Sequence, residues 1–240
     1  MTPGILRRSV GEGVGTALLL AAIVGSGVMA ERLAGGNGAL ALLANSIATG
    51  GALFALILTF APISGAHFNP LVTIAAALSG ELRPRHVLPY VVAQTGGAIL
   101  GVWLAHLMFD LPIIEASAHE RSGIGQWAGE FTATFGLLAL VEAGKRHFRD
   151  ALPAAIAAYI TAAYWFTSST SFANPAVTLA RALTDSFAGI RPQDAPGFIV
   201  AQLAATGLAV VALPWMFEAG DTPSTDSASE AAAATVPSEP

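Results

Sequence analysis

Long apolar runs constrain this chain more than any other feature. Val10 to Ala30 carries one charge, Glu12, and follows Arg7 and Arg8, while Ala39 to Phe60 carries none. Val87 to Phe109, Gly123 to Val141 with the single charge Glu130, Ala151 to Phe166 and Gly197 to Phe217 complete the set. A helix of about 20 apolar residues crosses a hydrocarbon core of ~30 Å, so six transmembrane spans are expected. A signal peptide would also set basic residues before an apolar run. Its core rarely carries a carboxylate, however, and pieces of this first run recur later in the chain. The composition agrees, with 54% apolar residues, 11% charged residues and a mean hydropathy of +0.62, far from a soluble domain. A net charge of −5 with no basic stripe excludes nucleic acid as a partner. The absence of cysteine removes disulfides, thiolate metal sites and thiol nucleophiles. No segment gathers a carboxylate pair, a triad or a metal cluster, so neither an enzyme, a cofactor nor a metal site is expected.

Between the spans the chain repeats one phrase, Phe68-Asn69-Pro70-Leu71-Val72-Thr73 and Ala173-Asn174-Pro175-Ala176-Val177-Thr178. Asn is a preferred helix N-cap, and Pro suits the first helical position because the N–H it lacks would have no partner there. Each phrase therefore starts a short helix. The first lies in Ala61 to Ser79, uncharged but broken by Pro62, Gly65, Asn69 and Pro70; the second follows the hydroxyl-rich Thr167 to Ser171 and runs to about Leu183.

The matches extend further. Glu12-Gly13-Val14-Gly15-Thr16 answers to Glu130-Phe131-Thr132-Ala133-Thr134, and Tyr90-Val91-Val92-Ala93-Gln94 to Phe198-Ile199-Val200-Ala201-Gln202. Three matches in one order define two repeats, about 5–110 and 123–217. Each holds three spans, so the second enters the membrane from the opposite side and the repeats are inverted. The expected fold is an all-α membrane protein of six transmembrane helices plus two re-entrant half-helices, with residues 1–217 as one channel domain and 218–240 as a disordered cytoplasmic tail. Arg7, Arg8, Arg83, Arg85, Lys145, Arg146 and Arg149 fall on the side of both termini, and Arg32, Arg121, Arg181 and Arg191 on the other. Seven against four puts both termini in the cytoplasm. Inversion brings the half-helices together N-terminus to N-terminus near the midplane, where non-helical backbone is tolerated only along a wet cavity. That arrangement is a path for small polar molecules with a central barrier to cations.

Over about residues 5 to 217 the sequence resembles the major intrinsic protein family, the aquaporins and aquaglyceroporins. The resemblance is carried by Ser64-Gly65-Ala66-His67-Phe68-Asn69-Pro70, by Asn174-Pro175-Ala176, and by the Glu-x-x-small-Thr pairs at Glu12 and Glu130. It implies an aquaporin-like fold, a pore in every subunit, a homotetramer in the bilayer, and water and small uncharged solutes as the molecules carried. Two departures stand out. Leu71 replaces the family's usual alanine after the first Asn-Pro, a bulkier residue at the seam between half-helices. Val177 stands where members normally carry an arginine at the narrow outer filter. Spacing against the family pattern puts the other filter positions at Thr49, Ala162 and Ser171.

Those four residues are small and uncharged. Loss of an arginine removes a fixed cation, a fork of five donors and considerable bulk. The filter is expected to be wider and less polar than in a water channel and to pass glycerol, urea or metalloid hydroxides. Such filters resemble bacterial members of the family associated with arsenic resistance, which implies arsenite or methylated arsenical acids as solutes and the bacterial inner membrane as location. Arg181, on the same helical face as Val177, is placed to pair with Asp185 at i+4 in the outer vestibule; the competing reading has it replace the lost charge from one turn outward. His67 reads as a neutral pore-lining or packing residue, with gating by protonation as the alternative. Glu12 and Glu130 are intramembrane carboxylates whose symmetry suits hydrogen bonding to the re-entrant loops rather than proton relay. Gly11-x3-Gly15 and Gly97-x3-Gly101 permit close helix crossings. An ordinary water-selective channel is one alternative. An ion-coupled secondary transporter, which also uses inverted repeats, is another, but it would set charged groups beside the broken helices.

Overall fold

The computed structural model describes residues 3–217, and the segment expected to form a disordered tail, 218–240, lies outside them. The described chain is helical: α1 (Ile5–Leu33), α2 (Gly38–Ser64), α3 (Pro70–Leu78), α4 (Val87–Met108), α5 (Ile124–His147), α6 (Leu152–Phe166), α7 (Pro175–Arg181) and α8 (Ala195–Met216). α3 and α7 are the two half-helices; the other six are the spans. α1, α2, α4 and α8 are long and apolar enough to cross a bilayer by themselves. α5 adds charge at its end and α6 is 15 residues long, so these two take their places as spans from the fold around them.

The molecule is apolar on its surface as well as in its core, which includes Leu20, Val24, Val102 and Phe198. Leu6, Leu58, Val92, Val211 and Trp215 are exposed, whereas Glu12, Asn45, Gln94, His106, Glu130 and Gln202 are buried. A hydrocarbon solvent leaves apolar side chains outside and makes each polar group find a partner within the protein. The helices pack in matching sets. α1 lies against α2 and α4, and α5 against α6 and α8; α3 touches α4 and α8, while α7 touches α8 and α4. The pairs α2 with α6 and α3 with α7 join the halves. Close approach is clearest at the α1–α4 crossing, where a Cβ on Gly97 would run into the backbone of Gly13, and one on Gly101 into that of Ala17.

Four helix boundaries differ notably from those read in the sequence. α1 starts at Ile5 rather than Val10, because Arg8 finds partners at the helix end, its guanidinium lying 5.4 Å from the Tyr90 ring centroid. α2 continues through Pro62 to Ser64. That proline forfeits one donor near the end of the helix, and Gly65, at φ 96°, closes the last turn by donating to the Ala61 carbonyl at 3.0 Å. α5 absorbs much of the basic connector, ending at His147. There Arg146 pairs with Glu142 at 2.6 Å, and three basic residues favour the negative helix end. α7 stops at Arg181, slightly short of the expected Leu183.

Candidate functional site

The site is built on the two buried carboxylates. Glu12 on α1 accepts the amides of His67 at 3.0 Å and Phe68 at 2.7 Å, and Gln94 of α4 donates to it at 2.8 Å. Glu130 on α5 accepts the amides of Phe172 and Ala173, both at 2.8 Å, and Gln202 of α8 donates to it at 2.6 Å. Each glutamine also reaches the threonine of its own half-helix, Thr73 at 2.9 Å and Thr178 at 3.0 Å. Three donors for each carboxylate satisfy it without water.

With their amides turned toward the carboxylates, the loops adopt an unusual backbone. Ala66 and Phe68 in the first, and Thr170, Ser171 and Ala173 in the second, all have φ between 47° and 61°, a region that costs non-glycine residues energy and is held only where surroundings enforce it. The loops end at the two asparagines. Asn69 caps α3 through the Leu71 amide at 2.9 Å and donates to the Ala173 carbonyl at 2.7 Å; Asn174 caps α7 through the Ala176 amide at 3.0 Å and donates to the Phe68 carbonyl at 2.8 Å. The half-helices are thus tied together at their N-termini, with Leu71 and Ala176 wholly buried at the seam.

A cavity of about 520 Å³ passes both asparagines. Toward the face where α1 begins and α8 ends it is lined by His67, Glu81, Lys145 and Arg149; toward the opposite face, by Thr49, Tyr164, Ser171, Phe172, Val177 and Arg181. Apolar stripes at i+4 spacing form its walls: Leu53, Ile57 and Ala61 on α2, Pro153 neighbouring Ile156 and Ile160 on α6, and Leu137 with Val141 on α5. Of the residues singled out by spacing, Thr49, Ser171 and Val177 meet at the far end of this cavity.

Ala162 does not. It is exposed on the outer side of α6, and the α6 side chain at this level of the cavity is Tyr164, whose hydroxyl lies 3.2 Å from that of Thr49. Ile156, Ile160 and Tyr164 follow the i+4 stripe, whereas Ala162 is turned about 200° from Ile160. Arg181 departs from expectation as well. It makes no pair with Asp185, which accepts the Ala118 amide at 2.8 Å and lies 4.0 Å from His119 Nδ1. Because α7 ends at Arg181, the i+4 geometry that such a pair needs is absent. The arginine, 2% exposed, donates through Nε to the Ala188 carbonyl, and its guanidinium carbon lies 3.4 Å from the centre of the Phe172 ring. Arg121, from the loop before α5, approaches the same ring at 5.2 Å. Neither Phe172 nor Arg121 was marked by sequence spacing; the alternation of the loop with Ser64–Phe68 contains the signal for Phe172, which occupies the position of His67.

His67 lines the near half of the cavity, its Nδ1 3.1 Å from the Thr73 hydroxyl and its ring edge-on to Tyr90 at 5.5 Å. Lys145 and Glu81 form a 2.8 Å ion pair at the near mouth. Neither Glu12 nor Glu130 lines the cavity.

The comparisons agree with this architecture. A family model described as major intrinsic protein matches residues 1–168. The chain is 53% identical over 214 residues to aquaglyceroporin AqpS of Rhizobium meliloti (strain 1021), across 89% of this chain and 91% of that protein. Its fold resembles the X-ray structure of the aquaglyceroporin from Plasmodium falciparum, with a TM-score of 0.66 at 22% identity over 93% of this chain and 99% of that one. The chain belongs to the major intrinsic protein family.

Proposed function

We propose that this protein is a passive channel for water and for uncharged solutes larger than water, glycerol and urea among them, and that neutral metalloid hydroxides and methylated arsenical acids also pass. Membership of the family makes the protein an integral membrane channel rather than an enzyme. One observation carries the finer reading: Val177, not an arginine, shares the cavity wall with the Thr49–Tyr164 pair. A valine there leaves room that a guanidinium and its stem would fill. The relative's description as an aquaglyceroporin favours the same class of solute.

We read the working form as a homotetramer in a bacterial inner membrane, both termini cytoplasmic, on the strength of the family and the Lys/Arg bias. The coupled-transporter alternative is disfavoured by the carboxylates: both are saturated by loop amides and a glutamine, and neither borders the cavity. A water-selective channel is favoured by one feature only, the arginine that remains near the far end.

The test is stopped-flow light scattering on proteoliposomes with water, glycerol and an uncharged arsenic acid, in wild type and Val177→Arg. Glycerol and arsenical flux in the wild type, reduced about tenfold or more in the variant while water flux falls less, is the expected result. Fast water with no larger solute in the wild type would return the protein to the water-selective class.

A further inference from the structure

Replacing the filter arginine by Val177 predicts a pore without a fixed cation at its far end. The cavity nevertheless has one. Arg181 closes α7 one turn beyond Val177, on the same face, and borders the cavity beside it. Its position is fixed at two points, because Nε is spent on the Ala188 carbonyl and the guanidinium carbon sits over the Phe172 ring. Its two terminal nitrogens meet no protein acceptor among the described residues. No carboxylate pairs with it either, since Asp185 is turned to the Ala118 amide and Glu130 is occupied by the loop and Gln202. A charge at this depth with no ion pair is expensive to keep. Ionisable residues retained inside a membrane protein under those terms generally serve the transported species.

We propose that width and charge are carried by separate residues in this channel. Val177 leaves the far end wide; Arg181, set back one turn, supplies the fixed positive charge that repels cations and offers its free donors to the oxygens of hydroxylated solutes. In an arginine at the Val177 position the two properties are inseparable, because the group that repels cations also fills the opening. Carrying the guanidinium from the next turn of α7 and holding it against Phe172 lets a broad neutral solute pass under the same positive potential. The inference rests on the channel reading above, but not on which solute is physiological.

The quantity to measure is the permeability to sodium and methylammonium relative to water, in proteoliposomes of wild type, Arg181→Met, Arg181→Gln, Arg181→Lys and the double variant Val177→Arg/Arg181→Met. The proposal expects a cation-tight wild type and a rise in the cation-to-water ratio of about tenfold in the Met and Gln variants, the scale set by a potential of a few kT. Lys should keep the ratio low, and the double variant should restore tightness while losing glycerol flux. Equal ratios in wild type, Met and Gln would overturn it. So would a Lys variant that leaks as much as Met, which would make Arg181 a packing residue. The wild type supplies a test that no folding defect can obscure: if it leaks cations and tightens only on Val177→Arg, Arg181 is not the barrier. Because water is the reference, these outcomes stand apart from failure of glycerol to pass, which would refute the solute reading instead.

Discussion

In the first half of the pore Glu12 holds the loop amides at 3.0 and 2.7 Å; in the second, Glu130 holds the equivalent pair at 2.8 Å each. The glutamine, threonine and asparagine bonds correspond in the same way, and so do the valines Val72 and Val177, which both border the cavity. The halves part along the cavity wall, where His67 answers to Phe172 and Arg181 lines it in place of the buried Ala76, and at the buried seam, where Leu71 answers to Ala176. The repeat conserves the frame that holds backbone carbonyls along the path. On the proposed reading, discrimination rests chiefly on the second half, on Val177, which matches Val72, and on Arg181, which replaces Ala76.

The strongest way to break this comparison is to attack the frame. Glu12→Gln and Glu130→Gln each turn an amide nitrogen or a weaker acceptor toward two loop amides, and should cost about 3 kcal/mol or more of stability, shared by both halves. Thermal unfolding of the two purified variants in detergent checks this, and a mild effect in either would end the claim that the frames are equivalent. Next is the helix crossing, where the halves differ. Gly97→Ala pushes a methyl into the Gly13 backbone and should cost about 3 kcal/mol, whereas the corresponding Ala205 of α8 already carries its methyl in a buried site and Ala205→Gly should cost about 1 kcal/mol. Equal losses in the same unfolding assay would show that the crossings are alike after all. His67→Phe gives the first loop the side chain of the second and removes the contact with Thr73. Glycerol flux should change by only about twofold if discrimination belongs to the second half, against the much larger effect of Val177→Arg. The smallest effect is expected at the near mouth, where Lys145→Met breaks a partly exposed ion pair with Glu81 worth about 1 kcal/mol or less. Flux through that variant at low and high salt measures whether the mouth contributes at all.

The frame could be read from the sequence because its residues occur twice with matched spacing. The glutamates, the Asn-Pro starts and the glutamines each appear in both repeats, and a membrane interior permits such groups only where they have partners. The far end of the pore was only partly legible. Tyr164 was missed because counting back from Asn174 crosses an irregular loop, Thr167 to Ala173, over which helical phase is lost; the i+4 stripe of α6 would have found it. The expected Arg181–Asp185 pair assumed a helix that continues for another turn, and α7 ends at the arginine itself. The stacking of Arg181 and Arg121 on Phe172 depends on contacts across three segments, which no local pattern encodes.

The left-handed loop residues bear on how the protein is made. Glu12 grips the amides of the loop that holds Ala66 and Phe68 in their left-handed backbone, and it leaves the ribosome before them, as Glu130 does ahead of Thr170, Ser171 and Ala173. Each half therefore synthesises its anchor before the segment that needs it, and can set its own loop as the chain emerges. The bonds from Asn69 to Ala173 and from Asn174 to Phe68 join opposite halves, so they must wait for both. That asparagine pair can close only after both loops have been made, so the path across the membrane depends on contacts that neither half supplies alone.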